Sequence, residues 1–388
     1  MNLDTVKNKK ILLFGKSRAF SEEEFLEQIK VHNIELTKEY DEDVSFVVEG
    51  RMMTPYEQNS SDLLYEERAL QSISIDLLEK LLVEEIDADV LLMSLKLSHD
   101  KERLKSFIQN SMIDDALFFR LVQLYKWQGE DFFENDDNRD VSAAFIARFY
   151  ENIERNHNVQ YATTGFIHLV AQAKTSKLLE AIYELEPLKF HEKIKKAIAM
   201  SPFIDAKLQK RLLRSNDAEI LEALSHNKNL DKEILESLMQ DSRFVQNIAK
   251  YVKLNDALFA ELLPFAKELA ENESLTSMMQ ESLLSLQNDT VDKALAQNST
   301  LTQESINRLL LQKAEQIDTL LYANSAMPQI YLQEVYEKGH FFASLAQNEN
   351  TPIEILYQLQ LDSRYERAVK TNAGFGKHIQ SENIGWLV

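Results

Sequence analysis

The chain contains no cysteine, which excludes disulfides, thiolate metal ligands and a cysteine nucleophile. Glycine (8) and proline (6) are scarce in 388 residues, and so few helix breakers suit long helical stretches with brief connections. Long hydrophobic runs are missing too. Near the N-terminus only Ile11 to Phe14 is continuously apolar, too short for a secretory core, and no later stretch reaches the about 18 apolar residues of a membrane span. A cytoplasmic protein without membrane attachment is the expectation. Basic residues are the minority, 43 against 63 acidic, for a formal charge of -20. Such a surplus opposes nonspecific attraction to phosphate backbones and anionic bilayers, so a protein partner is favoured over direct nucleic-acid binding.

At this length two domains or a repeat array are the usual ways to bury apolar surface. From Lys9 to about Glu84, short β-like runs alternate with helical ones. Ile11–Phe14, Ile34–Thr37 and Val44–Val48 read as strands, and Ile73 and Ile75 flank a fourth. Ser21-x-x-Glu24 and Asp76-x-x-Glu79 read as capping boxes, the first opening a helix with Phe25, Leu26 and Ile29 inward, the second one with Leu77, Leu78, Leu81 and Leu82. "SSDLLYEERAL" supplies a helix between them. The order β-α-β-β-α-β-α suggests a small open sheet with helices on its faces.

Beyond this region the β pattern stops and a repeat begins. "ALSHNKNLDKEILESLM" at 223, "ALAQNSTLTQESINRLL" at 294 and "SLAQNENTPIEILYQLQ" at 344 share one frame. Its anchors are Asn227, Tyr251, Asn272, Asn298, Asn324, Asn348 and Asn372, with intervals of 24, 21, 26, 26, 24 and 24 residues, a spacing typical of solenoids. Seven and three residues before each anchor the chain is apolar, from Ile220 and Leu224 to Tyr365 and Val369. Most residues three and eleven after it are apolar as well, from Leu230 and Leu238 onward. Each unit therefore reads as two short helices joined by a tight turn at the Asn, which is expected to end a helix in the left-handed conformation and to bond the turn backbone. Asp217, Asp241 and Asp362, ten before their anchors, are placed to open the next helix, and Thr351-Pro352-x-Glu354 to provide N-cap, N1 and N3 of another. Weaker copies place anchors at Asn110, Asn138 and Ser201, for roughly ten to twelve helix pairs. Trp386 is positioned to cap the open end of the array.

The expected fold is thus mainly α: an α/α superhelical solenoid of short helix pairs over 85–388, clearest over 201–375, preceded by a small α/β domain over 1–84. The repeat resembles the variant leucine-rich repeats on "LAQNENTPIEIL" and "LDSRYERAVKTN", which implies a right-handed superhelix akin to armadillo and HEAT arrays. Only the copy at 344 carries the Thr-Pro pair, so armadillo-like solenoid is as fair a name. The N-terminal region resembles a BRCT domain of the kind attached to bacterial DNA ligases, on "KKILLFG", "SEEEFLEQIK" and "VSFVVEG". Where phosphopeptide-reading BRCT domains carry Ser or Thr before the first glycine, this chain has Phe14, and "VHNIE" replaces their Gly-Gly turn.

Several motifs invite chemistry. Gly15-Lys16-Ser17 is the ending of a phosphate-binding loop, but Lys10 stands where the first glycine of Gly-x-x-x-x-Gly-Lys-Ser belongs, so no arc of N–H groups can wrap a phosphate. An ordinary strand-end turn is the main reading, and a small anion site at Gly15, Lys16 and Ser17 is the candidate that remains. His191 begins a zincin-like run that has Lys195 in place of its second histidine, and no metal or other cofactor is implied. The acidic run "EDFFENDDNRD" lacks calcium-loop spacing and reads as a solvated connection. Arg120, Arg148, Arg211 and Arg308 each lie ten residues after an anchor. In a solenoid such positions stack, making these four the candidate partner-binding stripe; exposed helix positions, with Glu304 and Arg308 as an i,i+4 pair, are the plainer reading. Without a nucleophile, metal cluster or cofactor fingerprint, the expected function is non-enzymatic: a protein-interaction scaffold with a BRCT-like recruitment domain. The alternative is an adaptor in DNA repair or replication that contacts DNA or a DNA-processing enzyme.

Overall fold

The computed structural model describes residues 2–68, 70–150 and 162–382. Among the described residues a small parallel sheet comes first and helices alone follow it. The chain divides between Lys195 and Lys196 into two compact units.

In the first unit, β1 (Lys10–Phe14), β2 (Glu35–Thr37), β3 (Val44–Glu49) and β4 (Gln71–Ser74) form one sheet in the order β2-β1-β3-β4, all parallel. Ile11 to Phe14 are buried without alternation, as a central parallel strand covered on both faces requires. The helices α1 (Glu22–Val31), α2 (Pro55–Arg68) and α3 (Ile75–Glu84) alternate with these strands. Ser21 does cap α1, accepting from the Glu24 N–H, but Glu24 turns away to Arg103 and Gln28 instead of completing the box. Leu26 and Leu77 stay about a third exposed, each 37%, while Phe25, Ile29, Leu78 and Leu82 are buried. The cap of α3 is Ser74 and not Asp76, because Asp76 pairs with Arg51 and Glu79 points to the Arg18–Ala19 backbone.

The switch from sheet to helices falls inside this first unit. Arg103, in the helix Lys101–Gln109, donates to the buried Glu24 carboxylate at 2.8 Å, and Phe107 of the same helix meets Phe20 edge to face. The acidic stretch is not a solvated connection throughout: Phe132 is fully buried, and Asp136–Phe149 is helical. Asn138 is correspondingly no turn anchor. It lies inside that helix, accepting from the Tyr125 hydroxyl and donating to the Gln128 and Asp131 carbonyls, so the register extended upstream fails there. Asn110 and Ser201 do follow the helices Lys101–Gln109 and Glu192–Met200 directly.

The second unit is a regular stack of helix pairs. One row comprises Ala218–Ser225, Ser242–Tyr251, Ala266–Ala270, Asp289–Ala296, Glu315–Ala323, Phe342–Gln347 and Glu366–Lys370, each packed on the next. The other row begins with Ala206–Arg214, Lys232–Met239 and Asp256–Glu261 and continues through Ile353–Gln360. The residues three before and eleven after the anchors are buried in every copy, from Leu224 to Val369 and from Leu238 to Leu359.

Between the two helices of a pair, the anchor asparagine ties one repeat to the one before. Its Nδ2 donates to two carbonyls of the preceding turn: Asn298 to Ala270 and Asn272, Asn324 to Ala296 and Asn298, Asn348 to Tyr322 and Asn324, Asn372 to Ala346 and Asn348. Asn227 reaches Ala199 and Ser201 in the same way. The Oδ1 accepts an N–H of its own turn, two residues on in Asn227, Asn272, Asn298, Asn324 and Asn348. These asparagines are not left-handed as expected. Asn324, Asn348 and Asn372 have φ of -85, -74 and -70° with extended ψ, since each serves a turn whose amide must reach sideways to a neighbour. The left-handed residue is at the other turn, eleven before the anchor: Asn216, Gln287 and Lys313, with φ of 52, 51 and 53°. The next residue, Asp217 or Asn288, then caps the following helix. Asp241 caps likewise, while Asp362 serves a turn ahead of its helix.

A second set of bonds runs forward. The buried Gln209 donates to the Asn229 carbonyl and accepts from the Asp231 N–H, and Gln280 does the same with Thr300 and Thr302. Thr351 is not an N-cap: its buried hydroxyl donates back to Leu345, and Pro352 precedes the helix Ile353–Gln360. Trp386 lies outside the described residues.

Replacing Asn298 with Ala removes its bonds to two carbonyls and to the N–H and hydroxyl of Thr300, which should lower the unfolding free energy by about 1–3 kcal/mol. Urea unfolding followed by circular dichroism measures this. The exposed Asn307→Ala is the control, and equal midpoints for the two variants would remove the rung from its role.

Candidate functional site

The turn after β1 has a structural reason for its glycine. Gly15 has φ of +70°, and a Cβ there would lie 2.5 Å from the Arg51 carbonyl oxygen. Gly50 faces it, and its Cβ would meet the Lys16 and Phe14 carbonyls at 2.6 Å. Two strand-end turns therefore cross in contact, joined by Lys16 N–H to Arg51 and Arg51 N–H to Lys16 at 2.9 and 2.8 Å.

The donors of this turn are engaged by the chain's own groups. Gly15 N–H donates to Glu57 Oε1 at 3.0 Å, and Glu57 Oε2 accepts from the Thr54 N–H and hydroxyl at 2.7 and 2.8 Å. These hydrogen bonds, from Thr54 first and then Gly15, hold the Glu57 carboxyl down from 4.5 to about 2. Arg18 and Ala19 N–H groups donate to the fully buried Glu79 carboxylate. Ser17 Oγ donates to the Phe20 carbonyl, and the Lys16 side chain is exposed. An external anion would meet Lys16 and not a set of open backbone donors.

The four arginines of the expected stripe divide between the units. Arg120 pairs with Asp89 at 2.5 Å and Arg148 with Asp115 at 2.9 Å, each on the first turn of another helix. Arg148 also donates to the Ile113 carbonyl, lies 4.9 Å from the Phe118 ring centre, and has a side chain only 13% exposed. In the second unit Arg211 is partly buried in Ala206–Arg214, while Arg308 is exposed in Gln303–Leu310. The Arg308 charge acts on Asp292, whose carboxyl is raised mainly by burial. Arg120 and Arg148 thus serve as struts between helices of one unit.

The second unit also contains a groove that the motifs did not reveal. It encloses about 840 Å³ between Ala206–Arg214, Lys232–Met239 and Asp256–Glu261. Leu235, Met239 and Leu258 line it apolarly, with Lys232, Glu236 and Glu261 also on its walls. It occurs where the asparagine ladder is interrupted. Tyr251 replaces the anchor and packs on His226, ring centres 4.6 Å apart, and the link to the preceding turn is the backbone bond Lys253 N–H to Lys228. The following helix Asp256–Glu261 has only six residues before Pro264. A tyrosine at an asparagine position and the shortened 21-residue interval are the signals in the sequence that mark this place.

Among the described residues no group of three or more His, Asp or Glu is placed to hold a metal ion, and no helix is long and apolar enough to cross a membrane. Fold and surface together define a helical-repeat protein with a small parallel α/β piece at its start. No protein-family model, curated protein or solved structure matches the chain.

The Glu57 carboxyl titrates lower in the folded chain than in the unfolded one. Its stabilising effect is complete above about pH 5 and is lost as pH falls toward about 2. Urea midpoints of the wild type and Glu57→Gln should therefore differ near neutrality and converge on acidification. A gap independent of pH would detach the effect from this carboxylate.

Proposed function

We propose that the protein is a non-enzymatic interaction scaffold whose repeat surface receives a segment of another protein. The observation that carries this reading is the groove at Leu235, Met239 and Leu258, a mixed apolar and charged trough flanked by the hydrogen-bonded rungs of Asn227 and Asn272. Stacked repeats fix a surface by their core and leave its side chains free to specify a partner. The apolar floor suits aliphatic or aromatic anchors of the partner, and walls of both charge signs suit a segment with alternating charge.

Two finer readings accompany the proposal. Residues 1–84 are read as a BRCT-like recruitment domain, supported by the open parallel sheet with α1, α2 and α3 in the order anticipated. The repeats are read as variant leucine-rich or armadillo-like units, supported by the recurrent turn that joins two short helices.

The test uses full-length protein as bait in native extract, wild type against Leu235→Glu and against the exposed control Leu361→Glu. Leu235 is half-buried on the groove wall, so a carboxylate there should reduce capture of a groove partner at least about tenfold. The control should capture the same partner undiminished. Equal recovery with all three baits would sink the groove as the docking surface.

A further inference from the structure

A separate pocket in the first unit joins an apolar floor to unpaired cations. It encloses about 600 Å³ where the end of Ala88–Ser98 turns into Lys101–Gln109 beside the end of Asp115–Leu124, and it is open to solvent on one side. Leu95, Leu104 and Tyr125 are buried and Leu124 is half-buried, and these four supply its apolar surface. The fold fixes this floor. The Tyr125 hydroxyl donates to Asn138 Oδ1 at 2.9 Å, and His99, with φ of 53°, begins the two-residue turn between the helices that carry Leu95 and Leu104.

Lys96, Lys101 and Lys126 line the same pocket against one carboxylate, Asp100. Lys101 is engaged by Asp137, and Asp100 caps its helix through the Arg103 N–H. Lys96 and Lys126 are exposed and come from different elements, and their ammonium groups have no ion pair or hydrogen bond among the described residues. With Asp100 and Asp137 both counted, a positive charge is left over even while His99 is neutral. A cation beside buried leucines is the complement of a carboxylate next to an apolar group. The floor takes the apolar part out of water and weakens the screening of charges at its edge. Because one side stays open, an occupant whose backbone continues outside keeps its polar groups hydrated, whereas a free aliphatic tail would remain half in water. We propose that this pocket receives, from a partner protein, a segment in which a large apolar side chain is flanked by Asp or Glu. The apolar group lies on Leu95, Leu104, Leu124 and Tyr125, and the carboxylates meet Lys96 and Lys126. The pocket does not depend on the groove in the second unit, and either assignment can fail without the other.

Immobilised full-length protein is titrated with acetyl-Glu-Leu-Glu-Phe-Glu-amide by surface plasmon resonance. The comparison ligands are the peptide with Gln for every Glu, the peptide with Ser for Leu and Phe, and octanoate. The parent peptide should bind saturably and at least about tenfold tighter than either analogue, the loss expected when two partly desolvated charge pairs or two buried apolar side chains are removed. Lys96→Gln combined with Lys126→Gln, checked for an unchanged circular dichroism spectrum, should weaken the parent peptide about tenfold and leave the Gln peptide unchanged. Lys96→Glu combined with Lys126→Glu should transfer the preference to the peptide with Lys for every Glu, a gain that damage to the fold would not produce. Equal affinity for the parent and Gln peptides, undiminished parent binding by the double Gln variant, or no saturable binding overturns the proposal. Saturation by octanoate at concentrations equal to or below those of the parent peptide would assign the pocket to free aliphatic carboxylates and overturn the protein segment as its ligand.

Discussion

The second unit depends on one amide group repeated along its length. An asparagine side chain at the helix-to-helix turn donates twice to the turn of the preceding repeat and accepts from its own. Apolar contact holds helices together but tolerates sliding, because dispersion and burial are indifferent to small shifts along an axis. Two hydrogen bonds from a planar amide to two fixed carbonyls do not. Each rung therefore sets the rise and rotation between repeats, and burial of the asparagines, from fully buried at Asn227 and Asn348 to 8% exposed at Asn324, makes a missing partner costly.

The same constraint explains where the surface departs from regularity. Tyr251 cannot donate an amide, so the link of its turn back to the preceding one is the backbone bond Lys253 N–H to Lys228 with ring packing on His226, while Asn272 still ties it to the following repeat. The forward clamp of Gln209 on Asn229 and Asp231 holds the turn before it, which keeps its own Asn227 rung. The groove at Leu235 and Met239 lies between that clamped turn and the turn of Tyr251. A break in the ladder thus leaves the fold continuous and changes what its surface offers.

Periodicity made the buried positions legible, since the residues three before and eleven after each anchor are apolar in sequence and buried in space. The asparagine was half legible. Its bond within the turn follows from local chemistry, but its acceptors lie 24 to 28 residues back in Asn227, Asn298, Asn324, Asn348 and Asn372, and no local rule reaches them. Asn138 misled for the opposite reason: a buried asparagine that binds a tyrosine and two carbonyls looks, as a letter, like a turn anchor. The cap of α3 moved from Asp76 to Ser74 because Asp76 paired with Arg51, and the box of α1 stayed incomplete because Glu24 bound Arg103. The Gly-Lys-Ser stretch was legible as a strand-end turn, while the crossing of Gly15 over Gly50 required the sheet order.

Charge follows a division of labour. Buried or half-buried carboxylates do structural work: Glu57 and Glu79 satisfy backbone N–H groups at the end of β1, and Glu24 fixes Arg103. Lys105 is held protonated above its ordinary range chiefly by its bond to Asp137. Several cations are likewise spent between helices, as in Arg120 with Asp89 and Arg148 with Asp115. Because 63 acidic residues face only 43 basic ones, internal pairing consumes the cations first and the excess that remains is acidic.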